Sequence, residues 1–99
     1  MKKFEIQYIE EAEQQLLELE SEKSKKSIYK AVAKILAFMQ IDLRHPSLNT
    51  HEHISLSRER GYKVFESYAK NKTPGVYRIF WRYGPGKHEI TIIAIVPHP

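Results

Sequence analysis

The run Ile90-Thr91-Ile92-Ile93-Ala94-Ile95-Val96 is apolar on both alternating faces of an extended strand. A strand of that kind has to lie inside a sheet, with a neighbour on each side. It is far too short to cross a bilayer, which takes about 20 residues of helix. Ahead of it, Val76 to Tyr83 and Tyr62 to Ala69 are rich in aromatic and β-branched residues, and Ile54 and Leu56 alternate with Ser55 and Ser57. Three or four strands in succession predict antiparallel hairpins. Thr73-Pro74-Gly75 suits a type II turn with glycine at the positive φ, and Gly84-Pro85-Gly86 does a similar job before the last strand.

The first half has the other period. Phe4, Ile6 and Tyr8 alternate with Glu5 and Gln7, a short half-buried strand. Ile9, Ala12, Leu16 and Leu19 then recur at helical steps through about Glu20. After the polar stretch from Ser21 to Ser27, the helical spacing returns in Ile28, Val32, Ile35, Leu36 and Met39. Pro46 disfavours helical geometry at His45, so the second helix has to stop between Asp42 and Pro46. Residues 46 to 53 read as a polar connector. The expected order is β-α-α-β-β-β in one α+β domain over 1–99, a two-helix hairpin on one face of a twisted, mostly antiparallel sheet. The opposite face, partly covered, is where a ligand is expected.

Composition narrows the function classes. The chain has no cysteine, which excludes disulfide scaffolds, thiolate metal sites and cysteine nucleophiles and fits a reducing cytoplasm. No secretory or membrane segment is read at Met1-Lys2-Lys3-Phe4-Glu5, which acidic residues follow. The formal net charge of +4 is unevenly spread: residues 1–22 carry two Lys and seven Glu, and the remainder carries fourteen Lys plus Arg against five acidic residues. A basic body of this kind points to an anionic partner, nucleic acid or an acidic protein. His51 and His53 flank Glu52 without a third ligand at useful spacing, and the glycines form neither a phosphate loop nor a dinucleotide fingerprint. No metal and no cofactor is expected.

Two residues stand out for chemistry. In Val76-Tyr77-Arg78-Ile79-Phe80-Trp81-Arg82, alternation puts Arg78, Phe80 and Arg82 on one face and Tyr77, Ile79 and Trp81 on the other. A guanidinium in so apolar a strand either meets a carboxylate, for which Glu66 on the preceding strand is the obvious partner, or lines a cleft and binds phosphate. His98 follows the central strand between Pro97 and Pro99, which restrict the backbone on both sides and aim the imidazole. Of the aromatics in these strands, most are expected to serve packing.

At Tyr77-Arg78-Ile79-Phe80-Trp81, then Ile90 to Ile95 and Pro97-His98-Pro99, the sequence resembles the RelE/ParE superfamily of toxins from bacterial type II toxin-antitoxin systems. The resemblance covers essentially the whole chain, including the connector Leu48-Asn49-Thr50-His51. It implies a RelE-like fold, a cognate antitoxin as protein partner, and endonucleolytic cleavage of mRNA on the ribosome. In the RNase branch the strand arginine, matching Arg78, supports the scissile phosphate. In the YoeB-like subgroup a histidine after the last strand, matching His98, is the general acid. That subgroup has tyrosine where this chain has Pro99, and Phe65 and Glu66 replace part of a more basic strand around Lys63. Lys63 is expected to stabilise charge or act as base, with His51 a second candidate for the base. Arg58, Lys70, Lys72 and Arg82 are expected backbone contacts to RNA. The superfamily's other branch poisons DNA gyrase without chemistry of its own, a role that Val64-Phe65-Glu66 would suit. A degenerate homologue that only binds antitoxin or RNA is the remaining alternative.

Overall fold

The computed structural model describes residues 3–69 and 76–98. Among these, the elements run β1 (Glu5–Tyr8), α1 (Glu10–Ser21), α2 (Lys26–Ile41), β2 (His51–Glu52), α3 (Ile54–Arg60), β3 (Phe65–Ala69), β4 (Tyr77–Tyr83) and β5 (Glu89–Pro97). Short 3-10 turns at Lys23–Lys25 and Pro46–Leu48 join α1 to α2 and lead away from α2. The fold is α+β, with an open five-stranded sheet in the order β1-β5-β4-β3-β2. β1 pairs parallel with β5 and the other neighbours are antiparallel.

β5 therefore sits between two strands, as its two apolar faces require. It outruns its neighbour β1, whose pairing stops at Tyr8 opposite Ile92. The side chain of Gln15 on α1 takes over beyond that point, its Oε1 accepting from the Ile95 backbone N–H at 2.7 Å. A register shift opposite Phe80 and Trp81 changes the alternation of β5, so that Ile92 and Ile95, three residues apart, share the helix face. Ile92 packs with the helices, whereas Ile93 joins Phe80 and Val64 on the other side.

The helix hairpin forms for the expected reason. Ala12 and Leu19 of α1 and Val32, Ile35, Leu36 and Met39 of α2 are buried against Ile79, Trp81, Ile90, Ile92 and Ile95 of the sheet. Glu10, Glu11 and Glu13 in the first turn of α1 complement the positive end of its dipole. Ser67 reaches the same face and satisfies the one polar edge of Trp81, accepting from Nε1 at 2.9 Å while its Oγ lies 2.7 Å from Thr50 Oγ1. Leaving that indole N–H unmet would cost about 1–3 kcal/mol.

The segment at Ile54 to Ser57 is a correction. Alternation over four residues predicts a strand, and the chain forms helix α3 there. Its ends decide the matter. His53 Nδ1 accepts from Leu56 N at 3.2 Å as the N-cap, and Gly61, at φ 77°, closes the C-terminus in the left-handed conformation. Arg58 and Arg60 occupy the last turn, where cations are favoured. α3 puts Leu56 against Val64, Phe80 and Ile93, so it shelters part of the face left open by the two longer helices. The connector also contains more structure than polarity implies, since His51–Glu52 pairs with β3 as the edge strand. The Thr73-Pro74-Gly75 turn lies outside the described residues.

Candidate functional site

The side chains of interest collect on the α3 side of the sheet, and the strand registers explain why. Tyr68 on β3 is the register partner of Arg78 on β4, which in turn faces Val96 on β5. Glu66 faces Phe80 across one ladder and His51 across the other. Glu66 and Tyr68 are two residues apart, as are Arg78 and Phe80, so the period of two brings all four to one surface. His98 is two residues past Val96, held where its backbone N–H donates to Val76 O at 2.7 Å.

Glu66 is the electrostatic centre of this surface. It is 4% exposed in a sheet whose surroundings are apolar, so its carboxylate requires partners. The Tyr68 hydroxyl donates to Oε1, His51 Nε2 lies 3.1 Å from the same oxygen, and His53 Nε2 lies 3.8 Å from Oε2. The carboxylate expected to pair with Arg78 is thus committed to a tyrosine and two imidazoles, and among the described residues no ion pair joins it to Arg78. The reason is register: Glu66 is diagonal to Arg78, while His51 stands directly opposite.

Arg78 is half-buried on the same surface. Its guanidinium carbon lies 4.9 Å from the centre of the Phe80 ring, a cation-π contact on one side of the plane. Its Nε is buried and, among the described residues, has no hydrogen-bond partner. The Tyr68 ring contacts both flanking imidazoles, stacked with His51 at 5.6 Å and tilted against His98 at 5.5 Å. His53 meets Phe80 edge-on at 5.5 Å and is already engaged as the cap of α3.

The Tyr68 hydroxyl is raised above the ordinary tyrosine value of 10.0, first by its hydrogen bond to Glu66, then by burial and the Glu66 charge, with Arg78 opposing. The folded state thus favours the neutral phenol. Its stabilising share is complete below pH 10.0 and is lost as pH climbs through the folded value. The tyrosinate absorbance difference between wild type and Tyr68→Phe should accordingly contain one phenol that ionises later than free tyrosine. A difference spectrum with an ordinary midpoint would show that the Tyr68–Glu66 bond does not hold in solution.

The remaining sequence candidates are spread more widely. His51 is brought to the cluster. Lys63 is exposed in the link before β3, outside the strand that carries Glu66 and Tyr68. Arg82 stacks its guanidinium 4.2 Å over the Tyr62 ring, and Arg58 is exposed in the last turn of α3. Both flank the cluster without joining it. Lys70, Lys72 and Pro99 lie outside the described residues. Sequence reasoning passed over Tyr68 and His53 as site residues and took Glu66 only as a partner for Arg78. The signal for the first was the two-residue step from Glu66 to Tyr68.

This surface sets a guanidinium beside a tyrosine whose ring contacts two imidazoles, groups that can bind an anion and exchange protons. Among the described residues, no helix is long and apolar enough to cross a membrane. Comparison with known protein families, with curated proteins and with solved structures finds no match for the chain.

Proposed function

We propose that the chain is a RelE-like toxin of a type II toxin-antitoxin system, an endoribonuclease that cuts mRNA on the ribosome in the cytoplasm and is held in check by a cognate antitoxin. The observation that carries the reading is the convergence of Arg78, whose buried Nε has no hydrogen-bond partner among the described residues, and the imidazoles of His51 and His98 around the Tyr68 ring. Cleavage of RNA with its own 2′-hydroxyl as nucleophile needs three things: a base, a cation on the phosphate, and an acid for the leaving oxygen. The 2′-hydroxyl gives its proton to His51 and its oxygen bonds to phosphorus. The bond from phosphorus to the 5′-oxygen then breaks as His98 supplies that oxygen with a proton. A 2′,3′-cyclic phosphate and a 5′-hydroxyl are the products. Arg78 neutralises the phosphate oxygens, whose charge grows in between.

Messenger RNA programmed on ribosomes should be cut at discrete positions by the purified protein, and the same RNA without ribosomes should stay intact. Intact RNA in both lanes, together with inhibition of supercoiling by DNA gyrase, would replace this reading with the gyrase-directed one. Arg58 and Arg82, flanking the cluster, are contacts for the RNA backbone, each adding to the salt dependence of binding more than to the chemistry.

A further inference from the structure

The RNA-cleaving reading leaves Glu66 without a task, and a buried carboxylate is too costly to keep for nothing. Its side chain is only 5% exposed, so a ribose hydroxyl cannot reach it. Its neighbours can be reached. His51 is 56% exposed and presents to Glu66 the nitrogen Nε2, at 3.1 Å. The other nitrogen, Nδ1, lies 3.3 Å from the carbonyl oxygen of Asn49. Asn49 adopts the left-handed conformation at φ 48°, one that asparagine tolerates better than most residues, and this turns its carbonyl toward the ring.

The Glu66 carboxylate and the Asn49 carbonyl can each only accept, so the two contacts together fix the plane and direction of the ring. The second hold of Glu66 is on Tyr68, whose hydroxyl it accepts and whose ring packs on both His51 and His98.

Resting on the proposed function, we infer that Glu66 is a positioning residue for RNA cleavage: by holding His51 at Nε2, and Tyr68 whose ring packs on His51, it sets the His51 imidazole against the phosphate at Arg78. Glu66 itself touches no RNA.

The test is a double-mutant cycle on ribosome-bound mRNA, with Glu66→Gln, His51→Ala and the two combined. Glu66→Gln should lower kcat at least about tenfold with KM nearly unchanged, since orientation and not RNA binding is lost. The double variant should be no slower than His51→Ala by more than about twofold, because Glu66 acts through His51. A Glu66→Gln enzyme at the wild-type rate overturns the inference. So does a double variant whose loss equals the product of the single losses, the result a purely structural Glu66 would give. Should Glu66→Gln fail to fold, His51→Gln carries the test. Its amide can still donate to Glu66 but cannot take up a proton, so kcat falls as in His51→Ala, and a wild-type rate overturns the inference. A wild type that cuts nothing is a different result, and it removes the cleavage reading together with the role built on it.

Discussion

Arg78→Met lowers ribosome-dependent mRNA cleavage by about 10²–10³-fold and leaves the stability of the fold within about 1 kcal/mol of wild type. The two expectations come from different parts of one side chain. The guanidinium is the cation that meets the developing charge on the phosphate, and a single preorganised donor at such a position contributes on that scale. The rest of the side chain is an apolar stem, which methionine replaces at much the same volume. Removing the head group gives up one cation-π contact, worth about 0.5–1 kcal/mol at a partly exposed site, and relieves a buried Nε that has no partner among the described residues. Those terms oppose each other. Had Arg78 been locked to Glu66, the same change would have stranded a buried carboxylate and cost about 3–5 kcal/mol. Urea unfolding of the two proteins, beside cleavage rates, checks both halves. A loss of stability near the larger figure would mean that Arg78 is a structural pair and not a phosphate ligand. Arg78→Lys is expected to recover only part of the rate, because an ammonium cannot present the planar fork that a phosphate accepts.

Much of this fold is legible in the residues because its elements are built on unmixed periods. The helical repeats of α1 and α2 and the doubly apolar β5 are each long enough to decide their own class, and they account for the layer of two helices over a sheet with β5 inside it. α3 was not legible because its evidence is at its ends. Four residues in which Ile54 and Leu56 alternate with serine imitate a strand, and the deciding contacts are an imidazole cap from His53, outside the usual set of capping residues, and Gly61 eight residues on. The site divides in the same way. The common face of Arg78 and Phe80 follows from alternation alone, and the position of His98 follows from the length of β5. The partner of Glu66 does not, because register across β2, β3 and β4 decides between a diagonal arginine and a directly opposed histidine, and register is set by tertiary contacts. Ser67 is a further case: its hydroxyl is spoken for by Trp81 and Thr50, fourteen and seventeen residues away.

His98→Ala should reduce the rate of cleavage by about 10²–10⁴-fold, the range that a well-placed general acid contributes. The placement is what makes so exposed a residue effective. β5 carries the chain past Val96 on the Arg78 row, Pro97 restricts the next step, and the bond from His98 N to Val76 O fixes the backbone at the imidazole itself. The Tyr68 ring then packs against the imidazole at 5.5 Å, on the side of the cluster that holds Glu66. An acid acts only on the leaving oxygen, so its loss can be separated from the loss of a phosphate ligand by changing that atom. Replacing the bridging 5′-oxygen of the substrate with sulfur provides a leaving group that departs as its anion, since a thiol loses its proton near pH 8.5 and an alcohol does not. On the sulfur substrate His98→Ala should cut at close to the wild-type rate, whereas Arg78→Met should stay slow because the phosphate still lacks its cation. If sulfur restored neither variant, His98 would be acting elsewhere than on the leaving group, and the acid would have to be sought among the other groups around Tyr68.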